Sequence, residues 1–61
     1  MTLRALVLTA LNNAFDNGYD FRSTDPAEVV EDLQSFDSQL EAETEANLLP
    51  LVKEWQADKR K

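Results

Sequence analysis

Cysteine and histidine are both absent from this 61-residue chain. Their absence excludes a disulfide framework and removes the usual zinc ligands, the thiolate nucleophile and the commonest general base. A domain of about 60 residues buries only about 60% of the surface that its unfolded chain exposes. Small domains therefore need an additional source of stability, and here helix packing or self-association must supply it.

Long apolar runs are missing as well. The longest, Ala5 to Leu8, continues past Thr9 to Leu11 and is far shorter than the roughly 20 residues of a spanning helix. Arg4 precedes this run as in a signal peptide, but no small-x-small cleavage pattern follows. With 43% hydrophobic and 30% charged residues, the composition predicts a folded, soluble, cytoplasmic protein rather than a disordered tail or a membrane protein.

Positive charge is scarce, and the net charge is −6. Residues 21–46 contain eight acidic residues and a single basic residue, Arg22, whereas residues 47–61 carry a small excess of lysine and arginine. An acidic surface repels phosphate, because affinity for nucleic acids depends on Lys and Arg displacing counterions. The sequence therefore predicts no direct binding of DNA or RNA.

Helical signals divide the chain into three segments. Apolar residues from Leu3 onward recur at spacings of three and four, with Thr2 as a cap and Asn17-Gly18 as a stop. Asp25 then precedes Pro26, an N-cap followed by proline at the first helical position. These signals predict helices over residues 3–16 and 26–36.

The sequence leaves two alternatives for where the second helix ends. Ser35, Asp37 and Ser38 have poor helix propensity, which favours a break near Asp37 and a short helical turn over Gln39 to Glu43. Continuation past Leu40 is the alternative.

Pro50 constrains the last helix, because a proline inside a helix loses a hydrogen bond and clashes with the preceding turn. Asn47 as N-cap would place Pro50 within the first turn and predicts a helix over 48–58.

We therefore expect an all-α fold: one domain over 1–61, a bundle of three main helices with a possible extra turn and roughly antiparallel neighbours. The expected core comprises Leu6, Val7, Leu11, Val30, Leu33, Phe36, Leu51, Val52 and Trp55.

Candidate chemistry is sparse. The segment Asp16 to Asp20 superficially resembles a calcium loop, but glycine at the sixth position would place Phe15 third and Thr24 twelfth, where ligands are required. The carboxylates of the second helix lie on its polar face, where acidic residues are usually solvated. We predict no catalytic residue, no metal and no cofactor, and hence no enzyme.

Acidic residues are the main candidates for partner binding. One interpretation is that they only keep the domain soluble; the other is that they recognise a basic protein surface. On the second interpretation, the predicted partner-binding residues are Glu28, Glu31, Asp32, Glu41, Glu43 and Glu45, with Tyr19 as an apolar anchor. The alternative is a structural module that forms a homo-oligomer through apolar surface around Leu8, Phe21 and Leu40.

In size, acidity and lack of catalytic groups the chain resembles small phage-borne accessory proteins, including anti-CRISPR and other nucleic-acid-mimic inhibitors. The resemblance rests on composition and carries over no functional residue. It implies an inhibitor that blocks a basic groove on a host nucleic-acid-binding enzyme.

Overall fold

Four helices make up most of residues 2–60, which are the residues that the computed structural model describes, and no strand occurs among them. The helices are α1 (Leu3–Asp16), α2 (Pro26–Phe36), α3 (Ser38–Glu41) and α4 (Glu45–Lys59). The radius of gyration is 10.3 Å, close to the roughly 10.5 Å expected for a compact domain of this length. The all-α prediction is confirmed.

Local capping interactions fix both ends of α1, as predicted. The Thr2 hydroxyl accepts a hydrogen bond from the Ala5 amide at 3.1 Å. At the other end Gly18 has a φ of 99°, a left-handed conformation that glycine adopts without steric cost. The Gly18 amide donates to the Phe15 carbonyl and the Tyr19 amide to the Ala14 carbonyl, both at 3.1 Å, which is the Schellman arrangement.

Helix α2 also begins and ends where the sequence predicts. Asp25 is its N-cap residue and Pro26 its first residue, although the Asp25 side chain makes no capping hydrogen bond. The backbone becomes extended at Asp37, whose carboxylate accepts a hydrogen bond from the Gln39 amide at 2.9 Å and starts α3. The break near Asp37 is confirmed, but the short helix covers Ser38–Glu41 rather than Gln39 to Glu43, because the Asp37 side chain caps it one residue earlier. Helix α3 turns Leu40 into the core with no exposed surface.

Helix α4 begins earlier than predicted. Thr44, not Asn47, is its N-cap residue, so Pro50 lies inside the helix rather than in its first turn. A proline there costs about 3 kcal/mol or more. Pro50 and Ala46, whose carbonyl loses its amide partner, are both exposed to solvent, where water can bind that carbonyl. Leu48, two residues before Pro50, is fully buried and stabilises the extra turn by packing.

The core is arranged around α4, which packs extensively against both α1 and α2, whereas α1 and α2 make few contacts with each other. Helices α2 and α4 are antiparallel: Gln56 near the end of α4 reaches Thr24, just before α2, and Gln34 near the end of α2 reaches Glu43, just before α4. The antiparallel arrangement expected of neighbouring main helices is therefore found for α2 and α4. The buried apolar residues are Val7, Leu11, Ala14, Phe21, Val29, Val30, Leu33, Leu40, Leu48, Val52 and Trp55.

Three members of the predicted core were placed wrongly. Phe36 is exposed, with 54% of its surface accessible, because α2 ends there and Leu40 takes the inward position that helical periodicity had given to Phe36. Leu6 and Leu51 are only partly buried and pack against the outside of the core. The other six predicted core residues are buried.

Trp55 is the largest buried side chain and joins α4 to α1. Its ring meets Phe15 edge to face with centroids 5.9 Å apart, and its indole N–H donates to the Asn12 side-chain oxygen at 2.9 Å. This contact links the central helix to the helix that leads into the α1–α2 loop.

We predict that Trp55→Ala lowers the free energy of unfolding by about 3–5 kcal/mol, as large aromatic truncations in cores do, and leaves little folded protein in so small a domain. Phe36→Ala is the matched aromatic control. It should cost about 1 kcal/mol or less, because surface substitutions usually have small effects. Thermal melts followed by circular dichroism compare the two variants, and equal losses would contradict this description of the core.

Candidate protein-interaction surface

The six predicted acidic residues lie along one stretch of the chain, and we call them the acidic segment: Glu28, Glu31, Asp32, Glu41, Glu43 and Glu45. The first three project from α2 at spacings of three and four, which places them on one side of the helix. Glu41 ends α3 and Glu45 begins α4. All are exposed except Glu43, which is half-buried.

The two halves of this segment are held together at the end of α2. Helix α3 packs against α2, and the Gln34 side-chain amide donates to the Glu43 carbonyl at 2.8 Å. Glu41, Glu43 and Glu45 therefore follow directly from the C-terminal end of α2. Glu28 lies near the opposite end, roughly 12 Å along the helix axis from Phe36 at 1.5 Å per residue.

The carboxylates of the acidic segment have no cation beside them within residues 2–60. Two ion pairs occur there, Arg4 with Glu54 and Arg22 with Asp20 at 3.3 Å, and neither includes a residue of the segment. Asp25 and Asp37, the other two carboxylates between residues 21 and 46, also lack such a partner in this part of the chain. The negative potential of this surface is therefore not neutralised locally.

Three of the five cations of residues 2–60, Arg22, Lys59 and Arg60, instead make contacts where α1 and α4 end. The guanidinium of Arg22 lies 5.2 Å from the Phe15 ring centroid, and the ammonium of Lys59 lies 5.8 Å from the same centroid. Lys59 is also 5.8 Å from the Trp55 ring, and the Arg60 guanidinium donates to the Arg22 carbonyl at 2.9 Å. Cation–π and hydrogen-bonding contacts thus engage these cations with α1, α4 and the α1–α2 loop, and none of them forms an ion pair with the acidic segment in residues 2–60.

The Arg4–Glu54 pair joins α1 to α4 across a groove of about 490 Å³. The hydrogen bond from Arg4 is the main cause that lowers the pKa of the Glu54 carboxyl, and the same hydrogen bond raises the pKa of Arg4. Both side chains are half-exposed or more, so solvent screens their attraction. The pair is a structural contact between helices.

Tyr19 and Phe36 form an exposed aromatic patch beside the acidic segment. Tyr19 is 47% and Phe36 54% accessible, and their ring centroids are 5.2 Å apart. The patch borders a groove of about 300 Å³ between α1 and the end of α2, whose other lining residues are Ala10, Asn13, Ala14, Asn17 and Asp37. Tyr19 is exposed, as an interface anchor must be. Its contact with Phe36 could not be predicted from the sequence, because the helical periodicity placed Phe36 in the core.

Gln56 positions the loop that carries Tyr19. It is the one buried polar side chain among the described residues. Its amide nitrogen donates to the Phe21 carbonyl at 2.8 Å and to the Thr24 carbonyl at 2.7 Å, which fastens the α1–α2 loop to α4. Phe21 is buried in turn, and its ring packs 5.6 Å from that of Tyr19. A glutamine in a polar stretch of sequence gives no indication of such a role.

The apolar surface proposed for self-association around Leu8, Phe21 and Leu40 does not exist as one surface. Phe21 is 3% exposed and Leu40 is fully buried. Leu8 is partly buried and lines the α1–α4 groove. The exposed apolar side chains are Tyr19 and Phe36 instead.

Among residues 2–60, no group of three or more acidic side chains is placed to hold a metal ion. Within the same residues, every buried side-chain nitrogen and oxygen has a hydrogen-bond partner. No helix in this range is long and apolar enough to cross a membrane. The distinctive features that remain are the acidic segment and the aromatic patch.

Comparison with protein-family models gives no match, and neither the curated proteins nor the solved structures contain one with significant similarity to this chain.

We predict that Gln56→Leu, which keeps the side-chain volume but removes both donors, lowers the free energy of unfolding by about 1–3 kcal/mol, because two carbonyls lose their partner. Amide hydrogen exchange in residues 17–25 should accelerate more than exchange in α2. Gln39→Leu, at an exposed glutamine of α3, is the control and should change neither quantity. Unaltered exchange in the loop would show that Gln56 does not hold it.

The Arg4–Glu54 pair should contribute to stability only above acidic pH. Because folding lowers the pKa of Glu54, this contribution is complete above the ordinary glutamate pKa of about 4.3 and is lost as the pH falls through the folded-state pKa. The difference in Tm between the parent and Glu54→Gln should therefore close in acid. Asp58→Asn, on the same helix, serves as the control. A difference that persists at low pH would contradict the ion-pair explanation.

Proposed function

We propose that this domain is a non-catalytic, acidic protein-binding module that engages a basic surface of a partner protein. The observation that carries the proposal is the acidic segment, whose carboxylates are solvent-accessible and without a neighbouring cation in residues 2–60. A surface of this kind attracts a positively charged partner and speeds encounter. Tyr19 supplies an exposed aromatic anchor, a residue type enriched in interfaces.

The partner class that we propose is a nucleic-acid-binding enzyme with a basic groove. Such a groove evolved to accept phosphates, and exposed carboxylates on a small rigid body can occupy it in their place. The module would then act as a phage anti-defence inhibitor of the anti-CRISPR type, in the cytoplasm of the host. Support for this narrower proposal comes from the small size, the net charge of −6 and the separation of acidic from basic residues.

Self-association is the second candidate, favoured by the adjacent exposed rings of Tyr19 and Phe36. Ionic strength separates the two. Binding led by charge weakens as salt shortens the screening length, which is about 8 Å at physiological ionic strength, whereas apolar self-association does not weaken.

We predict that reversing Glu31 and Asp32 to lysine slows association with the partner and flattens its dependence on salt, because steering charges act before contact. The partner is identified by affinity capture from the native host and mass spectrometry, and association rates are then measured with purified proteins over a series of salt concentrations. The fold should survive, since exposed substitutions away from caps change stability by about 0.5 kcal/mol or less.

Reversal of Asp16 and Asp58, outside residues 21–46, is the matched control and should have a smaller effect. Equal effects of the two pairs would mean that total charge governs association. No effect of either would assign the acidic segment to solubility alone and transfer the proposal to self-association.

A further inference from the structure

The two exposed large hydrophobic side chains of residues 2–60, Tyr19 and Phe36, lie side by side. Single exposed apolar residues are common on soluble proteins, whereas aromatic residues are enriched where proteins contact one another. Here two elements far apart in sequence, the α1–α2 loop and the last residue of α2, bring the rings together. The two neighbouring rings are therefore a candidate contact site for a partner.

The patch is held in a fixed geometry before any partner arrives. The Tyr19 amide donates to the Ala14 carbonyl within the Schellman turn at 3.1 Å, and its ring packs against the buried Phe21. Phe36 is fixed by the end of α2, which the Asp37 amide closes by donating to the Leu33 carbonyl at 3.0 Å. A preorganised surface loses little conformational entropy on binding.

Charge defines what the groove can accept. Asp37 lines it, and Asp32 precedes Phe36 by one helical turn on the same side of α2. No lysine or arginine lines it among the described residues. The groove therefore combines apolar side chains with two asparagines and the Asp37 carboxylate, and Asp32 lies nearby on α2. A complementary ligand must be apolar where it meets Tyr19 and Phe36 and cationic beside them.

We propose that the groove between α1 and the end of α2 receives one apolar side chain from a cationic segment of the partner protein, with lysines or arginines of that segment beside Asp32 and Asp37. This inference rests on the proposed function and names the chemistry of the partner. A second copy of the domain fits less well, because stacking two such patches would bring the Asp32 and Asp37 carboxylates of both copies close together, and like charges across an interface are unfavourable.

Two synthetic peptides test the proposal: a lysine-rich peptide with a central phenylalanine, and the same peptide with alanine at that position. Titration into the labelled domain, followed by amide chemical shifts, gives both the affinity and the location of binding. The phenylalanine peptide should bind about tenfold more tightly, or about 1.4 kcal/mol. Its shift changes should centre on Asn13, Asn17 and Asp37.

Phe36→Ala and Tyr19→Ala should each reduce this preference to about twofold or less, with both peptides still bound. Leu8→Ala, a truncation in the α1–α4 groove, is the control and should keep the preference. A different outcome is that the parent protein binds both peptides equally, with binding that weakens as salt is added. That result would overturn the groove proposal and leave the acidic segment as the binding surface. A preference insensitive to salt would support the groove and overturn charge-led recognition.

Failure of both peptides to bind would overturn both proposals. Chemical shifts around the patch that depend on protein concentration without peptide would show that a second copy, not a cationic segment, occupies the groove.

Discussion

Burial of one side of α4 against two helices at once is the interaction on which the rest of the domain depends. Leu48 and Val52 have no exposed surface, and α1 and α2 contact α4 far more than each other. Without a cysteine to form a disulfide, a domain this small depends heavily on such packing for its stability. In this arrangement a groove remains between α1 and the end of α2, and Tyr19, Phe36 and Asp37 are among the residues that line it. The architecture that stabilises the fold therefore also creates the candidate binding groove.

The separation of charge follows from how the cations are used. Arg22 and Lys59 lie over the ring of Phe15, and Arg60 hydrogen-bonds to the Arg22 carbonyl. These contacts connect the end of α4 to the α1–α2 loop, at the same place where Gln56 fastens that loop. Within residues 2–60 these cations form no ion pair with carboxylates on α2 and α3. The uneven charge of the sequence thus becomes an uneven charge of the surface.

Sequence reasoning succeeded where the determinants are local. Thr2, Gly18 and Pro26 act on their own neighbouring amides and backbone angles, so the limits of α1 and α2 could be predicted without knowledge of the tertiary fold. Sequence reasoning failed where contacts between residues distant in sequence determine the position of a side chain or the start of a helix. Phe36 continues the apolar periodicity of α2, but the break at Asp37 lets Leu40 fill the core instead. The start of α4 was placed too late, because the cost of an internal proline was weighed without the burial of Leu48. Gln56 was missed, since its partners are carbonyls of a loop more than 30 residues away in sequence.

The acidic segment and the aromatic patch would contribute differently to binding. Exposed carboxylates act over a screening length of about 8 Å, so they raise the rate of encounter. They add little to the affinity of the formed complex, because charges at the rim of an interface remain hydrated. An apolar side chain held in the groove beside Tyr19 and Phe36 would act only on contact, and its burial would slow dissociation. Because Asp32 lies one helical turn from Phe36, a cationic segment drawn to α2 would already arrive beside the groove. On the proposed function, charges placed next to the patch would therefore shorten the search for the bound position, which neither feature could achieve alone.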